Sequence, residues 1–349
     1  MNDDSDQNSE IPYKKSSLPF IEKYRPSTLS EIISHEAILS TISNFISKKS
    51  IPHFLFYGPP GTGKTTCALA LARQLYGDSY KNMILELNAS DDRGIQIVRN
   101  KIKDFCSSLI SFNNMTNNNT NNNCNMFKLV ILDEADMISS DAQNSLRRIM
   151  EKFTKNSRFC LICNQVNKIN IAIQSRCMRF RFPPLNKNQC IMRLKYICDK
   201  ENIKYANDNT LITIIDICKG DMRKTLNLLE ASFMASNNSL IDENSVYSCA
   251  GLPTPNQFKG FCNFCKRDNN FSNIFHKLKD MRIQNGFAMD DLIELLTNFI
   301  RLNDGINEYE KVEIFLLLGK MDFLCKIGGN EKIILSNFIS IIRKYNLNI

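Results

Sequence analysis

Residues 54–65 read FLFYGPPGTGKT, an apolar run that ends in a glycine-rich turn carrying a lysine and a threonine. The turn fits the pattern G-x-x-x-x-G-K-[ST], in which glycines let successive backbone N–H groups point into one concavity that holds phosphate oxygens. Apolar residues follow at helical spacing and predict a helix over about 65–76, whose positive N-terminal end would meet the same phosphates. We therefore predict a strand, a phosphate-binding turn and a helix, with Lys64 directed to the β- and γ-phosphates and the Thr65 hydroxyl to Mg²⁺.

Short apolar strands and helices continue to alternate up to about residue 182. Further strands are predicted at 83–88, 128–133, 158–164 and 178–182, and helices at 95–110 and 141–153. This alternation is typical of an α/β domain with a parallel sheet covered by helices on both faces. After Pro183 no strand pattern returns, and helices are predicted at 189–201, 207–218, 223–235, 289–300 and 311–327.

These patterns divide the chain into three predicted domains. An α/β nucleotide-binding domain spans 18–185, a small helical lid domain 186–250 and a C-terminal all-helical domain 251–349, with Pro253 and Pro255 marking a linker. Residues 1–17 are polar and are expected to form a disordered tail. An asparagine-rich run at 113–125 cannot bury apolar area and is predicted to be a disordered insertion.

Composition limits the class of protein. Hydrophobic residues make up 43% of the 349 residues, enough for buried cores, and the net charge of +8 is compatible with a polyanionic partner without specifying one. The acidic first residues do not resemble a secretory signal, and no apolar run approaches the roughly 18 residues of a membrane span. The 13 cysteines are therefore expected to be reduced. The pairs Cys160/Cys163 and Cys262/Cys265 would have to meet to bind zinc, and their apolar strand and helix contexts favour buried thiols.

A second group of polar residues follows the third predicted strand. The segment LVILDEAD at 129–136 places Asp133 and Glu134 at the carboxyl end of a strand, where ligands of parallel sheets bind. Asp133 is a candidate for the Mg²⁺ shell and Glu134 for orienting or deprotonating an attacking water. Adjacent carboxylates at a strand end are usually solvated, so the catalytic interpretation depends on the phosphate-binding turn. Asn164 can position the same water and Arg223 can reach the γ-phosphate, although each, taken alone, is equally well explained as an exposed residue.

An ordered set of boxes resembles the small subunits of replication factor C, a clamp-loading family of AAA+ ATPases. Besides the phosphate-binding turn, the boxes are FIEKYRP at 20–26, ELNASDDRGI at 86–95, QSRC at 174–177 and GDMR at 220–223. The similarity covers about residues 18–345, and the ordered set is far more specific than the turn alone. Segments 152–168 and 330–333 are most similar to the branch numbered three in yeast and five in human. Phe20 stands where the family usually has tryptophan and keeps the apolar bulk.

The resemblance implies a nuclear subunit of a hetero-pentamer that uses ATP and Mg²⁺ to help load a sliding clamp onto primer-template DNA, and no membrane partner. It assigns the box at 20–26 to the adenine, Arg176 to the ATP of a neighbouring subunit, and the C-terminal helices to a collar that joins the subunits. It also places the asparagine-rich insertion near the face that approaches the clamp. The isolated chain is then expected to hydrolyse little ATP, because a partner's arginine must complete its site.

The candidate site residues form four groups. The catalytic candidates are Lys64, Asp133, Glu134, Asn164 and, in trans, Arg176. The nucleotide-binding candidates are Tyr24, Arg25, Gly58, Pro59, Pro60, Gly61, Thr62, Gly63, Lys64, Thr65, Thr66, Asn164 and Arg223. Thr65 and Asp133 are the candidate Mg²⁺ ligands. Arg93, Arg99 and Lys103 are candidate contacts to DNA phosphates, although basic residues on a helix face are usually solvated.

Three alternatives stay open. A different AAA+ enzyme, such as a branch-migration motor or a protein-remodelling ATPase, is disfavoured by the box at 86–95. A scaffold subunit with a vestigial ATPase site is disfavoured because all the candidate site residues are present. Shared use of the chain in checkpoint or cohesion loaders is compatible with the sequence.

Overall fold

The computed structural model describes residues 18–32, 34–48, 50–90, 95–108, 127–237, 240–303 and 305–345. The predicted tail at 1–17 and the asparagine-rich insertion at 113–125 lie outside these ranges. The described chain separates into two compact units. One comprises the residues up to Asn202 together with Ile214–Glu230, and the other comprises Ile203–Thr213 together with the residues from Ala231 onward. The predicted three-domain division differs from this partition and stays a prediction.

The first unit is built on one sheet of parallel strands. The strands are β1 (His53–Tyr57), β2 (Ile84–Asn88), β3 (Lys128–Asp133), β4 (Ser157–Cys163) and β5 (Cys177–Arg181). Their order in the sheet is β2-β3-β4-β1-β5, and every neighbouring pair is parallel. This order brings the carboxyl ends of β1, β3 and β4, which carry the predicted site residues, next to one another.

Helices accompany these strands. They are α1 (Phe20–Lys23), α2 (Glu36–Ser47), α3 (Lys64–Tyr76), α4 (Tyr80–Met83), α5 (Ile95–Ser107), α6 (Ser140–Phe153), α7 (Ile171–Gln174) and α8 (Lys187–Glu201). Alternate strand residues belong to two separate cores, as the two-residue period of a strand requires. Phe54 and Phe56 pack with residues of α2 and α3, whereas Leu55 packs with residues of α5 and α6. The predicted parallel sheet with helices on both faces is therefore confirmed.

The rest of the described chain is helical, as predicted. The helices are α9 (Asp208–Cys218), α10 (Met222–Ala235), α11 (Glu243–Ala250), α12 (Pro255–Arg267), α13 (Phe271–Asn285), α14 (Met289–Leu302), α15 (Glu308–Lys326) and α16 (Glu331–Lys344). Helices α12 to α16 share one core around Leu296, Ile314 and Phe338. Pro255 is the first residue of α12, where its missing N–H costs nothing, and Thr254 and Gln257 form a reciprocal cap.

The paired cysteines lie within these cores. Cys160 and Cys163 are buried in β4, and Cys262 and Cys265 are buried in α12, which belongs to the other compact unit. Burial raises the pKa of the Cys163 and Cys265 thiols to about 12, so both side chains are neutral apolar packing groups near neutral pH.

His53, at the start of β1, makes the stability of the first unit depend on pH. The ring is buried against Phe159, and its Nδ1 accepts a hydrogen bond of 3.2 Å from the Phe159 backbone N–H. Burial and the nearby Arg158 charge lower the pKa of His53 from 6.5 to about 4. Between these values the unfolded chain binds the proton more readily than the folded chain. The contribution of His53 is therefore complete above pH 6.5 and is lost as the pH falls towards 4.

We expect His53→Gln to remove this pH dependence. Over the interval from pH 6.5 to pH 4, the wild-type free energy of unfolding should fall by about 3 kcal/mol more than that of the variant. Urea unfolding followed by circular dichroism at several pH values measures the difference, and His276→Gln, at an exposed histidine of α13, is the matched control. Equal pH slopes for wild type and His53→Gln would contradict the assignment.

Candidate nucleotide-binding site

A cavity of about 490 Å³ opens at the carboxyl end of the sheet in the first unit. One part of its lining is polar and comes from the segments that follow β1, β3 and β4. The other part mixes apolar and charged side chains and comes from the chain before β1, from Leu185 and from α8 and α10. The predicted residues that line it are Tyr24, Arg25, Pro60, Gly61, Thr62, Gly63, Lys64, Thr65, Thr66, Asp133, Glu134, Asn164 and Arg223.

Two glycines of the turn after β1 allow its tight path. Gly58 has φ +149°, and a Cβ there would lie 2.0 Å from the carbonyl oxygen of Phe182. Gly61 has φ +70°, and a Cβ there would lie 1.8 Å from Oδ1 of Asp221, the residue that precedes α10. Glycine is favoured at both positions, because the backbone conformation strains a residue with a side chain and a Cβ would collide with these atoms. The turn then enters α3, whose first N–H groups have no partners within the helix.

Lys64 is buried at the floor of the cavity. Its Nζ donates to Gly58 O at 2.9 Å, to Pro59 O at 2.8 Å and to Asn164 Oδ1 at 3.0 Å. Burial lowers the pKa of Lys64, and the negative charge of Asp133 opposes that shift. Gly58 and Pro59, which were predicted to bind the nucleotide, do not line the cavity. Instead, their carbonyl oxygens accept hydrogen bonds from Lys64 Nζ.

Thr65 and Asp133 form the next contact. The Thr65 hydroxyl donates to Asp133 Oδ2 at 2.7 Å, and Asp133 Oδ1 accepts from the Glu134 backbone N–H at 2.8 Å. Hydroxyl and carboxylate oxygens are the ligands that Mg²⁺ prefers. Glu134 has a φ of +51°, which is unusual for a residue with a side chain. Glu134 also lines the cavity.

Asp136 holds the other side of this group, and the sequence analysis did not assign it a role. Its Oδ2 accepts from the backbone N–H groups of Asn164 at 3.3 Å and Gln165 at 3.1 Å. The carboxylate thus ties the chain that leaves β4 to the chain that leaves β3. Its signal in the sequence was its place in the acidic cluster at 133–136.

Further lining residues were not among the predicted site residues, although Ile21 and Met222 belong to the boxes at 20–26 and 220–223. Ile21, Ile32, Leu185, Met222 and Leu226 supply an apolar wall. Arg193 of α8 lines the cavity as well, and its Nη2 donates to the carbonyl oxygen of Tyr24 at 2.8 Å. Arg193 lies in an amphipathic helix without a recognisable motif, so its sequence carries no signal for this role.

Arg176 and Lys103, the one candidate DNA contact whose side chain is described, do not line this cavity. The Arg176 side chain is partly exposed, with Nη1 donating to Ala172 O at 2.6 Å and Nη2 lying 2.5 Å from Glu151 Oε1. Lys103 is exposed on α5. Arg93 lies outside the described residues, and so does the side chain of Arg99. The DNA contacts therefore stay a prediction.

The described residues fit a nucleoside triphosphate with Mg²⁺. The turn places backbone N–H groups and one buried ammonium beside the cavity, and a hydroxyl and a carboxylate stand next to them. The apolar side chains in the wall are of the kind that line the pockets of organic ligands such as a base. Anions and their metal ions commonly bind at such a helix N-terminus.

Comparisons with known proteins agree with this arrangement. Family models match three consecutive segments: the ATPase family associated with various cellular activities at 54–185, the RCF1/5-like AAA+ ATPase lid domain at 192–234, and the replication factor C C-terminal domain at 253–340. Among solved structures, the Thermotoga maritima RuvB Holliday junction branch migration motor matches with a TM-score of 0.50 and 15% identity. That match covers 69% of this chain and 78% of that chain, and it supports the fold alone.

Curated relatives are similar along nearly their whole length. Replication factor C subunit 3 of Schizosaccharomyces pombe is 42% identical over 94% of this chain and 92% of its own length. Replication factor C subunit 5 of Homo sapiens is 40% identical over 93% of this chain and 91% of its own length. The probable replication factor C subunit 5 of Dictyostelium discoideum is 41% identical over 93% and 90%. The chain therefore belongs to the replication factor C family of small clamp-loader subunits, AAA+ ATPases, within the branch numbered three or five.

Proposed function

We propose that this chain binds ATP with Mg²⁺ and hydrolyses it within the assembled complex. The binding and hydrolysis of ATP would help to load a sliding clamp onto primer-template DNA in the nucleus. The observation that carries the proposal is the contact between Thr65 and Asp133 beside the buried Lys64, all lining one cavity. A vestigial site has no need for this arrangement, so a purely structural subunit is the weaker alternative.

Each residue of the site has a distinct task in this proposal. The bound nucleotide supplies the phosphoanhydride bond, and Mg²⁺ neutralises charge on its β- and γ-phosphates. The turn and Lys64 bind the phosphates, and Thr65 with Asp133 holds the metal. Glu134 orients the attacking water and accepts its proton. Asn164 stands 3.0 Å from Lys64 Nζ, which places its amide beside the same phosphate end.

The test of this function is ATP turnover by the chain alone and by the complex with its native partner subunits. The complex is measured with and without the clamp and primed DNA. We expect little turnover by the chain alone and stimulation of the complex by both ligands, because a partner's arginine completes the site. Equal turnover in the two states would contradict the proposal.

DNA is the proposed polyanionic partner, and the contacts would involve Arg93, Arg99 and Lys103. Support comes from the exposure of Lys103 on α5, a helix of the α/β unit, and from the family. Such contacts would be to phosphates, so that recognition would depend on salt rather than on base sequence.

Helix α15 carries an apolar stripe that is proposed to pack against a partner subunit. Its members are Tyr309, Val312, Leu316 and Phe323, together with Ile327 directly after the helix, and each is between 59% and 87% exposed. Their separations of three, four and seven residues place them on one face, in the manner of a coiled-coil seam. Other residues of α15, including Ile314 and Leu318, are buried in the core of α12 to α16. Exposed apolar side chains that share one face of a helix support a contact with another protein.

We expect the double substitution Leu316→Glu with Phe323→Glu to weaken assembly about a hundredfold or more, because each buried apolar side chain contributes about 1.5–3 kcal/mol. Co-purification and sedimentation with the partner subunits measure assembly. Glu310→Gln, at an exposed position of α15 outside the stripe, is the control and should assemble normally. Normal assembly of the double variant would exclude this face as the contact.

A further inference from the structure

The short helix α1 is held by residues far away in the sequence. It has only four residues, and Pro19 before it provides no side-chain cap, so local propensity does little to fix it. The Phe20 backbone N–H donates to Glu230 Oε2 of α10 at 3.1 Å. The carbonyl oxygen of Tyr24 accepts from Arg193 of α8. All of these residues belong to the first compact unit.

Glu201 makes the strongest of these attachments. Its Oε1 lies 2.5 Å from Lys23 Nζ and also accepts a hydrogen bond from the Tyr24 hydroxyl. The Glu201 side chain is 17% exposed, so water screens these contacts only in part. Burial raises the pKa of Glu201, but hydrogen bonds from Lys23 and Tyr24 outweigh it and lower the pKa overall. The carboxylate is therefore charged near neutral pH. It joins Lys23 and Tyr24 to the end of α8, and both residues belong to the stretch 20–25, which we call the α1 segment.

The segment held in this way forms a wall of the cavity. Ile21, Glu22, Tyr24 and Arg25 line it, whereas Glu201 itself does not. These residues lie outside the glycine-rich turn, and apart from Arg25 they carry no cationic group that could bind a phosphate. They face the part of a nucleotide that the turn does not hold, namely its base and sugar.

We propose that Glu201 is a positioning residue for the base and sugar of the nucleotide. By holding Lys23 and Tyr24, it keeps the α1 segment against α8, and the nucleotide meets a wall that is already formed. Without Glu201 the segment would have to become ordered during binding, and that entropy would be subtracted from the affinity. This role rests on the proposed binding of ATP.

The test compares two ligands that share phosphates but not a base. The dissociation constants of ATP and of inorganic tripolyphosphate, each with Mg²⁺, are measured calorimetrically on the full chain. Glu201→Ala is expected to weaken ATP binding about tenfold, as for the loss of a hydrogen bond to a charged group, and to leave tripolyphosphate binding unchanged. Glu201→Gln keeps an acceptor for the Tyr24 hydroxyl and should recover part of the ATP affinity. Asp199→Ala, which removes an exposed carboxylate from the same helix, should bind both ligands like wild type.

A double-mutant cycle with Tyr24→Phe makes the test sharper. Because Tyr24 acts through the same carboxylate, the two substitutions together should cost less than the sum of their separate effects. Unchanged ATP binding by Glu201→Ala, or an equal loss of ATP and tripolyphosphate binding, would overturn the positioning role while leaving the proposed function in place. A wild-type chain that binds neither ligand would overturn the proposed function, and this role with it.

Discussion

Replacing Lys64 by alanine is expected to weaken ATP binding to the full chain by about tenfold to a hundredfold, because hydrogen bonds to charged groups contribute about 1.5–3 kcal/mol. Turnover at this site should fall further, by about a hundredfold to a thousandfold, as when a fixed donor to developing charge is removed. The ammonium is already buried, and its three N–H groups donate to Gly58, Pro59 and Asn164, so it would exchange at least one of these acceptors for a phosphate oxygen.

The measurement needs both binding and turnover. ATP affinity is determined on the full chain, and turnover is determined on the complex with its native partners, the clamp and primed DNA. Lys48→Ala removes an exposed lysine that follows α2 and is the matched control, which should behave like wild type. Wild-type turnover by the Lys64→Ala complex would show that this chain contributes no hydrolysis and would favour a vestigial site. Unchanged ATP affinity would show that the phosphates do not bind at Lys64.

The fold was predictable because its signals are local and periodic. Each strand is a short apolar run. The motifs that contain Lys64 and Asp133 show where β1 and β3 end, and these two strand ends carry the site. Five of five strands were predicted with ends within one residue of those observed. Helix α2 was not predicted, although Ile38, Ile42 and Phe45 repeat along it at helical spacing. That signal was present in the sequence and was overlooked.

The apolar wall of the site could not be predicted in the same way. Arg193, Glu201 and Glu230 meet α1 across 169 to 210 residues of sequence, and no spacing rule connects positions so far apart. A glutamate at the end of an amphipathic helix is indistinguishable in sequence from a solvated charge. Only the packing of α8 and α10 against the α1 segment gives these residues a role. The motifs thus identify the phosphate end of the site and the segment at 20–26, whereas tertiary structure is needed to find the residues of α8 and α10 that hold that segment.

Arg176 is the opposite case. The QSRC motif predicts a role for it, but it does not line the cavity of its own chain. The residue follows α7, does not line the cavity, and is held by Glu151 and by the carbonyl oxygen of Ala172. A guanidinium fixed at the surface by two contacts can serve a phosphate of another molecule without first losing much side-chain freedom. To act in trans, as we propose, the guanidinium would exchange its contact with Glu151 for a phosphate of the neighbouring subunit's ATP.

Arg176→Ala is therefore expected to leave ATP binding to this chain within about twofold of wild type, while turnover at the neighbouring subunit's site falls about a thousandfold or more, as for arginine fingers in other NTPases. ATP affinity of the full chain and stimulated turnover of the complex measure the two effects separately. Arg148→Ala, at an exposed arginine of α6, is the control. Weaker ATP binding by the Arg176→Ala chain would place the arginine at its own site. An unchanged rate of ATP turnover by the complex would show that Arg176 has no role in catalysis. A selective loss of turnover would mean that each ATP is hydrolysed by residues of two subunits, so that assembly itself controls the ATPase.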